Sequence, residues 1–288
     1  MLEGKKALIT GADQGLGKEI AKEFLKQGAS VCICSREENR LRETVKELEG
    51  YQKSAGQRVI FQRADVGSTE DLDRLYDAVL QEFGTLDGVV NNAGIQGPIG
   101  DTTKVPWEGI EEVVRINLLG TLYSMRKAVL VFREQKKKGR IVNLSGGGAT
   151  GPREFFMGYA VAKTGVVRAT ETMAKETEQD GICINAIAPG AMNTRMLEEM
   201  LAAGETALGK RAYEQALGQK EKGGAPLEKA ARLAAFLVSD RAGTMSGRLI
   251  SALWDGWGDF DAHAEEIAGS DIYTLRRIVP KDRGFQWE

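Results

Sequence analysis

Tyr159 and Lys163 stand four residues apart at the end of the stretch GRIVNLSGGGATGPREFFMGYAVAK, which runs from Gly139 to Lys163. On a helix that spacing places the phenol and the ammonium on one face, within reach of each other. An ammonium held near a phenol favours the phenolate, so the tyrosine pKa is expected to fall toward neutral pH. A tyrosine so tuned serves as a general acid or base. A bare Tyr-x-x-x-Lys also occurs on ordinary amphipathic helices, so the surroundings decide. Just before it, Ile141, Val142 and Leu144 make a short apolar run closed by Gly146, Gly147 and Gly148, which predicts a buried strand.

A second group of residues suits phosphate chemistry. Ala7, Leu8 and Ile9 predict a first strand, and Gly11, Asp13, Gln14, Gly15, Leu16 and Gly17 follow in a turn that opens a helix reaching about Gln27. Glycines there let the backbone pass close to a ligand, and the N–H groups of the helix start favour a pyrophosphate. Between a strand and a helix, such a turn reads as a dinucleotide site. Val31 to Cys34 predict the second strand, followed by Ser35, Arg36 and Glu37. The side chain at this place meets the ribose 2′ position, where an arginine suits a 2′-phosphate and an acid a 2′-hydroxyl. Arg36 comes first, so NADP is the expected cofactor; Glu37 keeps NAD as the alternative.

The elements that must position these residues alternate along the chain. A charged helix is expected over about Glu37–Ser54, a strand at Val59–Phe61 ending near Asp65 and Val66, and a helix over Thr69–Phe83. A strand at Leu86–Val90 runs into Asn91, Asn92, Ala93 and Gly94, and a helical stretch from Trp107 to about Gln135 carries Asn117. After the tyrosine helix, Cys183–Ile187 predict a strand leading to Pro189, Gly190 and Thr194. Residues 195–222 are helix-prone, Leu227–Val238 predict a helix, and Arg248–Ala252 a last strand. This alternation predicts an α/β fold: a doubly wound Rossmann-type parallel sheet with helices on both faces. Residues 1–256 form the dinucleotide-binding and catalytic domain, and residues 257–288 a C-terminal extension.

Composition narrows the classes. The chain has 288 residues, 42% apolar and 28% charged, with a net charge of −2, so no basic field points to nucleic acid or to an anionic membrane. No apolar run is long enough for a membrane span, and the first residues carry no signal-peptide core. Three cysteines, Cys32, Cys34 and Cys183, lie in apolar runs and read as reduced thiols of a cytoplasmic protein. With one histidine in the chain, no metal site is expected.

Five motifs follow one another in order: TGxxxGxG at 10–17, NNAG at 91–94, Asn117, YxxxK at 159–163 and PGxxxT at 189–194. Together they resemble the short-chain dehydrogenase/reductase superfamily in its single-domain form, over roughly residues 4–255. The resemblance implies that Tyr159 gives or takes the proton, that Lys163 binds the nicotinamide ribose and lowers the tyrosine pKa, and that Asn117 holds a water of a proton relay. It places Asp65 and Val66 at the adenine, Asn92, Ala93 and Gly94 under the cofactor, and Pro189, Gly190 and Thr194 at the carboxamide end. The implied reaction is hydride transfer between NADP(H) and a carbonyl or secondary alcohol of a small-molecule substrate. A redox-neutral epimerase or dehydratase that retains its cofactor, or a non-catalytic nucleotide-binding member, is the alternative.

Two features depart from the family pattern. Its serine, thirteen residues before the tyrosine, falls on Gly146, and Ser145 is one residue off, on the other side of a strand. Ser145 stays a catalytic candidate, ranked below a backbone N–H of Gly147 or Gly148. The Ser-Gly-Gly-Gly run is similar to members that modify sugars, so a polar, sugar-like substrate is expected. The chain also continues past the usual end, through Arg276 and Arg277, which could cap a substrate pocket or belong to an arm docked on its own or a neighbouring subunit. Family members commonly form homodimers or homotetramers through the Asn117 and Tyr159 helices. Leu118, Leu122, Val129, Val166, Val167 and Met173 are apolar candidates there, or equally core.

Overall fold

Each short apolar run becomes a strand of one parallel sheet in a computed structural model, which describes residues 1–287. The strands are β1 (Lys6–Thr10), β2 (Ser30–Ser35), β3 (Val59–Arg63), β4 (Gly88–Asn91), β5 (Arg140–Leu144), β6 (Cys183–Ala188) and β7 (Leu249–Ser251). Their spatial order is β3-β2-β1-β4-β5-β6-β7. Parallel strands need crossover connections, and helices supply them. These are α1 (Gly15–Lys26), α2 (Glu38–Glu49), α3 (Thr69–Phe83), α4 (Trp107–Val113), α5 (Gly120–Glu134), α6 (Met157–Glu176), α7 (Arg195–Leu208), α8 (Lys210–Lys222) and α9 (Leu227–Val238).

Both faces of the sheet are buried, which is why the strands read as nearly continuous apolar runs. Ile9, Ile33, Val90 and Val142 point to one side and pack on Ile20, Phe24 and Leu25 of α1 and on Leu233 and Leu237 of α9. Their neighbours Leu8, Cys32, Val89 and Ile141 point to the other side, onto Leu72 and Tyr76 of α3 and Met125 and Phe132 of α5. β1 pairs with β2 on one flank and β4 on the other, with Ile9 opposite both Ile33 and Val90. The chain order reverses between β1 and β4. There the following connections leave toward opposite faces and open a crevice.

One helix expectation needs correction and two gain detail. The stretch Trp107–Gln135 is helical, but Val114–Leu119 winds as a π-helix between α4 and α5, and Asn117 lies in it. Such bulges mark functional segments of helices. The helix expected to reach Ser54 ends at Glu49, with Gly50 as its cap. Residues 195–222 split into α7 and α8 at Gly209, and Gly204 (φ 79°) kinks α7. Of the six apolar candidates for an interface, Val129, Val166 and Val167 are buried inside this chain. Leu118, Leu122 and Met173 are half-buried and packed against its core. Trp107, Leu119, Leu130, Met157 and Val161 are the exposed large apolar side chains on these helices.

The residues beyond β7 dock on their own chain. Leu249 N donates to Tyr273 O at 2.8 Å, so the extension runs alongside β7. The buried Arg248 guanidinium donates to Ile267 O at 2.6 Å and Ile272 O at 3.3 Å. Leu275 N donates to Glu171 Oε1 on α6 at 2.6 Å. Phe260 and Ile267 join the core that contains Phe236 and Ile250. Arg276 pairs with Asp271 at 2.8 Å and Asp282 at 2.7 Å, and neither it nor Arg277 borders the two cavities described below.

If the extension is part of the core, Phe260→Ala should cost about 3 kcal/mol, typical of a large-to-small change at a buried aromatic. Urea unfolding should show a lower midpoint with an unchanged slope. An unchanged midpoint would mean that the extension contributes nothing to the core.

Candidate active site

The crevice is built by backbone that approaches backbone. Thr10 at the end of β1 accepts, through Oγ1, the N–H groups of Asn92 and Ala93 at 3.0 Å each. Asn92 returns its side-chain amide to Thr10 O and Gly11 O, both at 2.9 Å. A Cβ on Gly17 would lie 2.3 Å from Gly11 O, and one on Gly11 would lie 2.7 Å from Ala93 Cα. No side chain fits at either place. α1 starts at Gly15 with no side-chain cap from Gln14 and no acid in its first turn. Its opening N–H groups are therefore left for an anion. This cradle fits the pyrophosphate of a dinucleotide.

A cavity of about 330 Å³ follows the crevice. It gathers Gly11, Asp13, Gln14, Gly15 and Leu16 from the first turn, Ser35 at the end of β2 with Arg36 after it, and Asp65 and Val66 after β3. It also takes in Asn92, Ala93 and Gly94 after β4, then Ser145, Tyr159, Lys163, Pro189 and Thr194. Three expected residues lie off its wall. Gly17 supports Gly11 from behind. Gly190 borders the neighbouring cavity instead. Asn117 is fully buried, with its side-chain amide bonded both ways to the Ile95 backbone at 2.8 Å. Arg40, absent from the sequence reading, also lines the cavity and pairs with Asp13 at 3.2 Å. Its position four residues after Arg36 on a helical pattern was the available signal. Met192 and Met196 line it as well, and no sequence pattern marked them. Arg36 is exposed and its carbonyl accepts from Arg63 Nε at 3.1 Å.

At the inner end α6 brings Tyr159 and Lys163 under the end of β5. Both are buried. Lys163 Nζ donates to Leu144 O at 2.7 Å and sits 5.7 Å from the centre of the Tyr159 ring. Burial lowers the Lys163 pKa to about 8. Burial raises that of Tyr159, and the cation that opposes the rise is Arg153. The expected lowering of Tyr159 by Lys163 is therefore corrected: desolvation wins, because the ammonium is aimed at a backbone carbonyl and is itself desolvated.

The serine question has a geometric answer. Gly146 is extended, and a Cβ there would lie 3.0 Å from Tyr159 Oη, so this is the position that faces the tyrosine hydroxyl. Ser145 is buried and donates its hydroxyl to Lys163 O at 3.3 Å. Gly147 to Ala149 form a 3-10 turn next to the cavity. A second cavity, of about 600 Å³, shares Ser145, Tyr159, Pro189, Met192, Thr194 and Met196 with the first. Leu197, Met200 and Leu249 add apolar wall, and Trp254 stands exposed at its rim.

Comparison with known proteins agrees with this geometry. The family model described as short chain dehydrogenase matches residues 5–204. The chain is 38% identical over 249 residues to 3beta-hydroxysteroid dehydrogenase 1 of Eggerthella lenta, covering 85% of this chain and 91% of that protein. It is 35% identical over 242 residues to L-fucose dehydrogenase of Oryctolagus cuniculus, covering 82% and 80%. Among solved structures, levodione reductase superposes with a TM-score of 0.79 at 30% identity, covering 91% of this chain and 99% of that one.

The buried lysine gives a pH signature. Between about 8 and the ordinary lysine value of 10.5, the unfolded chain holds a proton that the folded chain has released. Stability from this group therefore rises with pH across that window, and the cost of the buried charge is full below it. Lys163→Met removes the dependence. Relative to the variant, the unmodified protein should gain up to about 3 kcal/mol between the two pH values, read by urea unfolding at each. A difference independent of pH would show that Lys163 is not desolvated.

Proposed function

The chain belongs to the short-chain dehydrogenase/reductase family and is an NAD(P)-dependent oxidoreductase; from that premise we propose that it exchanges a hydride between NADP(H) and a ketone or secondary alcohol of a polar small molecule. The observation that carries the reading is that Tyr159 lines both cavities, so one hydroxyl faces the nucleotide crevice and the substrate space together. The dinucleotide supplies the hydride when bound, and the protein supplies position and charge.

The first-turn N–H groups receive the pyrophosphate, Asp65 and Val66 border the adenine, and Arg36 takes the 2′-phosphate. Asn92, Ala93 and Gly94 form the floor, Lys163 holds the nicotinamide ribose, and Pro189, Gly190 and Thr194 border the carboxamide. Tyr159 is neutral at neutral pH, since burial raises its pKa, and donates its proton to the carbonyl oxygen in reduction. In oxidation the phenolate form of Tyr159 takes the proton of the alcohol, and the Lys163 ammonium, 5.7 Å from the ring centre, favours that charged form. The Asn117 side-chain amide is committed to Ile95 and its backbone carbonyl accepts from Thr121 Oγ1 at 2.9 Å, so the second lone pair of that carbonyl is what would hold the water of the relay. With Gly146 in the serine position, the N–H groups of Gly147 and Gly148 serve as the second donor to the carbonyl oxygen, because the Ser145 hydroxyl already bonds Lys163 O. Relatives named for a steroid and for a sugar leave the substrate body open. The exposed Leu119, Leu130, Met157 and Val161 are the apolar side chains through which we expect a homodimer or homotetramer to form.

Tyr159→Phe should remove nearly all activity, whereas Ser145→Ala should keep most of it; losing one oxyanion donor costs about 10²–10³ in kcat. Steady-state kinetics on the folded variants decides, and equal losses would move the donor role to Ser145. NADPH should bind at least roughly tenfold tighter than NADH, and Arg36→Ala should erase that margin in a fluorescence titration. Equal affinities in the unmodified protein would replace NADP with NAD.

A further inference from the structure

Arg153 lies on the loop before α6 and borders the second cavity. Its guanidinium carbon is 3.9 Å from the ring centre of Phe156 and 5.3 Å from that of Tyr159. Among the described residues its hydrogen-bond partner is Met200 Sδ at 3.5 Å, a weak acceptor, and no carboxylate pairs with it. Burial lowers its pKa, with only the Tyr159 charge acting the other way. A guanidinium stacked on an aromatic face keeps its in-plane N–H edge for an acceptor. Here that edge is half-buried and no anion is paired with it among the described residues.

Gln96 provides the second observation. It is 4% exposed, lines the same cavity, and its Nε2 has no hydrogen-bond partner. A buried amide without an acceptor is costly and calls for an explanation. The acid in this cavity, Asp255, accepts from Ser251 N at 2.6 Å. An amide without an acceptor and a guanidinium with only a weak one thus share a space whose apolar wall is Met192, Met196, Leu197, Met200 and Leu249, with Thr150, Gln219 and Ser251 on its polar side.

We propose that Arg153 and Gln96 form a carboxylate-binding subsite, and that the substrate is an oxo acid or hydroxy acid with an apolar remainder. This rests on the reading of Tyr159 as the proton-transfer group. It replaces a neutral, sugar-like substrate with an anionic one. Arg153 takes the two carboxylate oxygens through its fork, and Gln96 donates to one of them. The methionine and leucine walls hold the remainder. In reduction the hydride of the reduced dinucleotide goes to the ketone carbon and the Tyr159 proton to its oxygen. The C=O bond becomes CH–OH, the dinucleotide leaves oxidised, and the carboxylate is unchanged. Oxidation runs the same balance backwards.

Calorimetric titration tests the subsite without requiring the true substrate. Phenylacetate, 3-phenylpropanoate, hexanoate and octanoate are each compared with their primary amide, on the full chain with and without NADP⁺. At least one carboxylate should bind roughly tenfold or more tighter than its amide, the margin of a charged over a neutral hydrogen-bonded pair. Arg153→Met should erase the margin and Arg153→Lys keep part of it, with NADP⁺ affinity and thermal midpoint confirming an intact fold. Gln96→Leu should weaken the carboxylate more than the amide. The proposal is overturned if no carboxylate beats its amide, including the case in which neither binds, or if Arg153→Met leaves the margin intact. Hydride transfer from 3-hydroxy-3-phenylpropanoate and from its methyl ester, followed at 340 nm, tests the enzymatic reading separately. A carboxylate margin that persists without turnover of either compound would leave the subsite standing and sink the oxidoreductase role of Tyr159.

Discussion

The contact on which the site depends is the approach of the turn after β1 to the turn after β4. Gly17 lies so close to Gly11 O that a Cβ would come to 2.3 Å, and the Asn92 amide reaches across to the same carbonyl at 2.9 Å. This closeness follows from topology. β1 and β4 are neighbours in the sheet, yet the chain leaves them toward opposite faces, so their ends must splay. Thr10 and Asn92 hold the splayed ends at a fixed separation through four hydrogen bonds. That fixed gap sets where the start of α1 points, and with it the whole length of the nucleotide crevice.

At the inner end of the crevice, desolvation outweighs charge pairing. The same burial that lifts the Tyr159 pKa lowers that of Lys163, so both groups lean toward their neutral forms. The lysine is held by Leu144 O rather than by an acid, and the tyrosine feels an arginine from the substrate side. Two neutral-leaning groups in one low-dielectric pocket respond strongly to any charge brought beside them, since screening there is weak. Control of the proton is thereby passed from the resting pair to what the cavities hold.

Much of this was legible in the sequence. The apolar runs gave away all seven strands, and the alternation with helices gave their parallel arrangement. Most of the loop motif residues reached one cavity because they sit just past a strand end, where a parallel sheet collects its loops, and α6 brings Tyr159 and Lys163 to the same place. What remained hidden was of two kinds. Local winding escaped, as in the π-helical turn around Asn117 and the break at Gly209, because periodicity alone does not resolve a single inserted residue or a glycine kink. Long-range pairing escaped as well. Nothing near Lys163 in the chain says that Leu144 O will receive its ammonium, and nothing near Arg153 says that Met200 Sδ rather than an acid will face its guanidinium. Even the direction of the tyrosine shift turned on burial, which spacing does not report.

The docking of the C-terminal stretch against β7 bears on how the protein behaves in crowded solution. A sheet edge displays a row of open N–H and C=O groups, and such a row recruits strands from other molecules. At the β7 edge Tyr273 occupies that row, accepting the N–H of Leu249. The β3 edge is guarded differently: its flanks carry the exposed Arg58 and Arg63, and Arg42 lies 5.1 Å over the Phe61 ring. One end of the sheet is covered at Leu249 by the chain's own backbone; the other is flanked by long charged side chains, with Arg58 paired to Glu82 and Arg42 to Glu38. Without the extension, the Leu249 N–H would lose its acceptor and stand open at that edge, where a strand of another molecule could take it up.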